Sequence, residues 1–281
     1  MTEQFSLFDT PPAPAPRAAP APAAATPDAG LVALGARLPA RAYLGTSSWA
    51  FPGWAGIVYA RKLAETELSR NGLTAYSRHP VLRAVGIDRT FYAAIGAQDY
   101  AAYAGQVPET FRFLVKAPAA VSDAVLRDER GRATRANEGF LDTRWAIDHF
   151  VGPATEGLGA KAGPLVFQLS PLPRDLTRDP AAFAARLHDF LAGIHAAVPQ
   201  ALLAVEVRNA EFVGEPLAAA LCDAGARYCY GVHPRMPTVA EQAARMHSLG
   251  DGPLVARWSL HAGFEYEEAK AQYAPFDRLV D

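Results

Sequence analysis

The chain is poor in several things, and each scarcity narrows what it can be. Only two of its 281 residues are cysteine, Cys222 and Cys229. That is too few for a disulfide scaffold, and their spacing matches no zinc or redox motif. Both are expected to be reduced core residues of a cytoplasmic protein. No apolar run approaches the roughly 20 residues of a membrane span. The first residues lack the basic start and apolar centre of a signal peptide, so no membrane partner is expected. There is no excess of either charge: 27 Lys and Arg stand against 29 Asp and Glu, a net charge of −2. A strongly basic nucleic-acid coat is thereby excluded, although a local basic groove is not. A glycine-rich phosphate loop, a GxSxG elbow and an HExxH pair are all missing. The seven histidines include no close ligand pair on one face.

What is present is a large supply of core residues, since half the chain is apolar. They are unevenly spread. Between Thr10 and Ala29, sixteen of twenty residues are Pro or Ala, with no aromatic or branched aliphatic side chain. Such a stretch buries too little apolar surface to offset its ordering entropy. Residues 1–38 are therefore read as a disordered Pro/Ala-rich tail, and 39–281 as one folded domain.

Within that domain, short runs rich in branched and aromatic residues recur: Tyr43–Trp49, Ala84–Tyr92, Phe111–Pro118, Gly163–Ser170, Leu202–Asn209, Ala226–Val232 and Pro253–Leu260. Most are apolar on both faces over their first halves, as in strands of a buried parallel sheet. Helix signals lie between them. Asp179 caps a helix opened by Pro180, with Phe183, Leu187, Phe190 and Ile194 on one face. A second runs from Glu215 to Ala224 and stops at Gly225. A third is expected around Tyr266–Tyr273. This alternation predicts an α/β fold, a TIM-like (β/α) barrel. A closed barrel needs eight strands, and seven are counted. The barrel is expected to be incomplete, its last βα unit absent and its first and seventh strands left as edges.

In such folds chemistry sits at the C-terminal ends of the strands, and polar residues gather there. Candidates are Ser47 and Trp49 on the first strand, Asp88, Arg89 and Tyr92 on the second, and Lys116 on the third. Gln168 ends the fourth, Glu206 and Arg208 the fifth, and Arg257 and His261 the seventh. Period-two alternation puts Glu206 and Arg208 on one face, either as a buried ion pair with no further duty or as general base and orienting cation. Lys116 follows Phe113, Leu114 and Val115. It is an anion-binding ammonium, a solvated side chain or, if its pKa is depressed, an imine-forming amine. Asp88 is an acid–base group or a helix cap. Arg89, Lys116, Arg208 and Arg257 together suggest an anionic ligand, phosphate or carboxylate. Trp49 and Tyr92 either stack on a sugar or base or pack in the core. No cofactor is identified. His233 and His261 with Glu206 and Asp88 give only a faint signal for a divalent metal.

The motifs GTSSW with FPGW (Gly45–Trp54), TFY (Thr90–Tyr92), FRFLVKA (Phe111–Ala117), GPLVFQLSPLP (Gly163–Pro173), VEVRN (Val205–Asn209) and VARW (Val255–Trp258) resemble the YecE-like family. That is domain-of-unknown-function family seventy-two. The resemblance implies a TIM-like barrel with shared polar residues around its mouth, and no established reaction. Three departures stand out. Gly86 occupies the place of a family glutamate, Phe212 lies where a tryptophan is frequent, and no counterpart of the family's last strand precedes Asp281.

The tail carries a further signal. Gln4, Phe5, Ser6, Leu7 and Phe8 read QFSLF, which resembles the bacterial sliding-clamp-binding motif. Leu7 and Phe8 would fill an apolar pocket and Gln4 would bond at its rim. Three readings of function follow. The first is a protein that binds or processes a phosphorylated or nucleic-acid-derived ligand at the barrel mouth, acting as a hydrolase or lyase on an anionic small molecule or nucleic-acid fragment. The second is a non-catalytic nucleic-acid-associated module recruited to the sliding clamp. The third is a lysine-dependent small-molecule lyase.

Overall fold

The computed structural model describes residues 21–128, 132–247, 251–258 and 266–274. In chain order the strands are β1 Leu44–Thr46, β2 Leu82–Ile87, β3 Arg112–Lys116, β4 Val125–Arg127, β5 Ala133–Ala136, β6 Ala162–Gln168, β7 Leu203–Glu206, β8 Arg227–Val232 and β9 Val255–Trp258. Seven of them form one sheet in the order β1-β2-β3-β6-β7-β8-β9, every pair parallel. Strands β4 and β5 form a separate antiparallel ribbon after β3. Among the described residues β1 and β9 are the outer strands, and no eighth strand joins them. The sheet is a curled half-barrel flanked by helices, an incomplete TIM-like barrel.

The outer face of the sheet carries the main core. Phe113 and Val115 of β3, Leu165 and Phe167 of β6, Leu203 and Val205 of β7 and Tyr228 of β8 are buried there. Helix Pro180–Ala197 covers it with Phe183, Leu187, Phe190 and Ile194, and its first turn is capped by Asp179 Oδ1 on Ala182 N at 3.0 Å. Phe167 meets Phe190 and Phe150 edge-on at centroid distances of 5.1 and 5.5 Å. Such contacts add roughly 0.5–1.5 kcal/mol each to area burial. Helix Glu215–Asp223 buries Leu217, Ala218 and Leu221. Cys222, expected in the core, is exposed, because it lies one step of about 100° beyond Leu221 on that helix. Cys229 is buried. No helix among the described residues is long and apolar enough to cross a membrane.

The boundary drawn at residue 38 is corrected. Residues 29–37 form a helix, with Asp28 Oδ1 accepting from Leu31 N at 2.8 Å. Arg83 holds it to β2 through bonds to Gly35 O at 2.7 Å and Pro39 O at 3.0 Å. Upstream, Ala25 N donates to Val58 O and Ala60 N to Ala23 O, both at 2.9 Å. Composition misjudged this stretch because it weighs side chains alone. Backbone groups and one arginine supply the anchoring here. Gln4, Leu7 and Phe8 lie outside the described residues.

Gly45 fixes how β1 enters the sheet. The register slips between Leu44 and Gly45, and a Cβ on Gly45 would stand 2.1 Å from Ala84 O. Only a residue without Cβ lets the two backbones meet there. Gly45→Ala is expected to lower stability by about 1–3 kcal/mol, read as a lower urea midpoint at constant m-value. An unchanged midpoint would mean that β1 is not held against β2 in this way.

Candidate functional site

The inner face of the sheet has a different composition from the outer one. Leu114, Val166, Ala204, Cys229 and Val255 form a small apolar cluster inside the curl. Side chains two residues further along a strand share its face. Stepping two residues toward the C-terminal ends gives Lys116, Gln168, Glu206, Gly231 and Arg257. On β2 the same step from Gly86 gives Asp88. Ile87 pairs with Val115, so Asp88 and Lys116 are next to each other across β2 and β3. An apolar floor is thus overlaid by a polar group at the mouth of the half-barrel.

Arg257 is the centre of that group. Its Nη1 donates to Glu206 Oε2 at 2.7 Å and to Gln168 Oε1 at 3.0 Å, and its Nη2 donates to Asp88 Oδ2 at 2.8 Å. Glu206, 1% exposed, is also ion-paired through Oε1 with Arg208 Nη2. Glu206 therefore carries the counter-charge for two guanidinium groups, although its Oε1 is buried and outside any hydrogen bond among the described residues. Desolvation is the largest single influence on Arg257 and disfavours its charge, but Glu206 and Asp88 together outweigh it and hold its pKa above the ordinary value. Burial pushes the Asp88 carboxyl up, against the pull of Arg257 and Lys116, with Glu206 adding to the rise. Asp88 Oδ1 is buried and accepts no hydrogen bond among the described residues.

Lys116 is held differently. Its ammonium sits 3.8 Å from the centroid of Phe91, over the ring face. Burial lowers its pKa, Asp88 opposes the shift, and Arg257 adds to it. Thr90, fully buried, fixes this corner: its hydroxyl lies 2.8 Å from Ile87 O and 2.6 Å from Lys116 O, tying the ends of β2 and β3 together. Two further polar residues, Gln242 buried and Asn209 half-buried, shape the loops of the mouth. Gln242 donates to Gly231 O and Pro237 O and accepts from Tyr228 OH and Gly231 N, closing the turn after β8. Asn209 Oδ1 accepts from Leu172 N at 2.8 Å, seating the loop after β6. Thr90, Phe91, Gln242 and Asn209 were not singled out from sequence. The TFY and VEVRN motifs contain three of them.

The remaining candidates are dispersed. Asp88, Lys116, Gln168, Glu206, Arg208 and Arg257 come together. Trp49 does not: it is buried in the core, donates through Nε1 to Leu68 O at 3.0 Å and meets Tyr103 edge-on. Arg89 turns away to Tyr103, bonding its hydroxyl at 2.6 Å. Ser47 is exposed beyond the end of β1, and Tyr92 is exposed next to Phe91. His261 lies outside the described residues. Among the described residues no three His, Cys, Asp or Glu side chains converge to hold a metal. His233 is occupied in its own loop, accepting from Arg235 N at 3.2 Å.

The family model described as a protein of unknown function, DUF72, matches residues 43–280, which includes every strand above. The chain belongs to the DUF72 family. YecE is the same family, so the resemblance seen in the motifs is shown. Solved DUF72 proteins are similar in structure. One from Enterococcus faecalis is 15% identical with a TM-score of 0.47, covering 82% of this chain and 75% of its own. One from Thermotoga maritima is 19% identical with a TM-score of 0.45, covering 69% and 66%. No curated protein matches. Gly86, where the resemblance leads one to expect a glutamate, has little room for a side chain. A Cβ there would stand 3.0 Å from Ser47 Cα and O, so the end of β1 occupies that space. Phe212 is buried with its ring 4.7 Å from that of Phe183.

The two carboxylates of this DUF72 mouth should respond in opposite ways to neutralisation. Glu206→Gln removes the charge that two buried guanidinium groups share, and is expected to cost about 3 kcal/mol. Asp88 has a raised pKa, so the fold binds its proton more tightly than the unfolded chain does. Its contribution to stability is largest below the ordinary carboxylate pKa and falls as pH rises through the raised one. Asp88→Asn is therefore expected to be at least as stable as the parent at pH 7. Urea denaturation of both variants at pH 7 tests this, and a large loss for Asp88→Asn would contradict it.

Proposed function

We propose that the mouth of this half-barrel binds and processes a phosphorylated or nucleic-acid-derived anionic ligand. Lys116 is its anion-facing cation and Asp88 its acid–base group, with Arg208 and Arg257 held in place by Glu206. One observation carries the reading. Three cations meet two carboxylates at the mouth, Arg257 and Arg208 are tied to those carboxylates, and the Lys116 ammonium has no hydrogen-bond acceptor among the described residues. A half-buried ammonium resting on a ring face still has unused donors, which a phosphate or carboxylate satisfies. Asp88 lies beside it with one buried oxygen unpartnered and a pKa raised by burial, the condition that brings a carboxylate toward general acid–base work. Glu206, expected as the base, is better suited to anchoring the two arginines. Imine chemistry at Lys116 needs the neutral amine, which burial favours and Asp88 opposes; a bound anion would add to the hold on the proton.

Binding of inorganic phosphate and of sugar phosphates, followed by calorimetry, tests the reading. Lys116→Gln is expected to weaken binding about 10- to 100-fold, the usual worth of a charge-assisted hydrogen bond. In the parent protein the affinity should fall as pH rises through the lowered Lys116 pKa. It is best followed above the second phosphate ionisation, near pH ~6, where the ligand charge is constant. Unchanged affinity in Lys116→Gln would remove the proposal.

A second reading concerns recruitment and is compatible with the first. QFSLF at residues 4–8 precedes a Pro/Ala-rich stretch, whose composition suits a tether for a bound peptide. Purified bacterial sliding clamp is expected to retain the full chain and to lose it when Leu7 and Phe8 are both replaced by Ala. Equal retention of both would dismiss the motif.

A further inference from the structure

The turn after β2 displays an aromatic ring in a way that packing does not require. Tyr92 is 87% exposed. A lone exposed tyrosine is ordinary, but this one ends a turn that is fixed at every residue. Phe91 N donates to Asp88 O and Tyr92 N to Arg89 O, both at 3.1 Å. Arg89 is bonded to Tyr103, Thr90 is bonded to the ends of β2 and β3, and Phe91 lies under the Lys116 ammonium. Tyr92 meets Phe91 edge-on at 5.6 Å. The backbone that carries the exposed ring is thus locked to the same strand ends that carry Asp88 and Lys116. A preorganised tyrosine presents a large flat surface at little entropic cost on binding.

The geometry points to a nucleoside monophosphate as the ligand class, with its phosphate at Lys116 and its base stacked on Tyr92. The inference rests on the anion reading of the mouth and narrows it. From the ammonium to the Phe91 ring is 3.8 Å and from that ring to Tyr92 is 5.6 Å, and together these two legs limit the distance to the exposed phenol. A phosphate bonded at the near end and a planar group at the far end are then separated by the reach of a pentose. An inorganic anion or a sugar phosphate leaves the exposed ring unused. Stacking on an aromatic face accepts any base, so one tyrosine gives a preference for bases as a class and not for one of them.

Calorimetry on the full chain with three classes of probe tests this: the four ribonucleoside monophosphates, ribose 5-phosphate and inorganic phosphate. The nucleotides are expected to bind more tightly than ribose 5-phosphate. Tyr92→Ala should weaken nucleotide binding about 5- to 100-fold while leaving ribose 5-phosphate unchanged, and Tyr92→Phe should restore it. Lys116→Gln should weaken all three. Equal affinity for nucleotides and ribose 5-phosphate, or equal losses of both in Tyr92→Ala, overturns this inference and leaves the anion site standing. Failure of every probe to bind, or indifference to Lys116→Gln, overturns the anion site and this inference with it.

Discussion

The structure turns on one guanidinium group. Arg257 lies on the last strand of the sheet and Asp88 just beyond the second. In a flat sheet, five strand spacings would separate them by about 24 Å. They are bonded at 2.8 Å, which is possible only because the sheet curls on itself. A cation inside such a curl cannot remain without counter-charges. Arg257 takes two carboxylates and an amide, and Glu206 in turn takes a second arginine. The polar group at the mouth follows from this single requirement. So does the surplus positive charge, which falls on Lys116.

Shape and chemistry are therefore the same feature. The apolar floor of Leu114, Val166, Ala204, Cys229 and Val255 holds the curl from within, and the next inward side chain on each strand is polar. With water reduced above such a floor, charges count for more than they would at the surface. Asp88 and Lys116 carry the cost, since burial disfavours the charged form of both. Glu206 and Arg257 show the opposite arrangement, two charges that satisfy each other. Groups kept in an unfavourable state beside paired ones are the arrangement on which the proposed site rests.

Much of this was legible in the sequence. All seven sheet strands are visible as short runs, most of them apolar on both faces over their first halves, because helices cover one side and the curl the other. The pairing of Glu206 with Arg208 follows from alternation within one strand. The pairing of Arg257 with Asp88, 169 residues earlier, does not, because it depends on curvature that no local pattern encodes. Strand ends were the second blind spot. β1 stops at Thr46 and β2 at Ile87, after which the alternating phase is lost. Trp49 and Arg89, counted as site residues for their place at the strand ends, turn into the core and toward a neighbouring helix. Residues 21–38 were misjudged for a third reason: their anchoring lies in backbone bonds and in Arg83, and composition reports neither.

The central claim is that Lys116 is the cation left open for an anion while Arg257 is committed to the protein. A crystal of the full chain soaked in tungstate, a phosphate surrogate with a strong anomalous signal, tests it most directly. The account expects a tungsten peak with an oxygen in hydrogen-bond reach of Lys116 Nζ, and Arg257 still bonded to Glu206 and Asp88. An empty mouth with Lys116 bonded to a protein carboxylate would contradict it, as would tungstate seated on Arg257 in place of those two side chains.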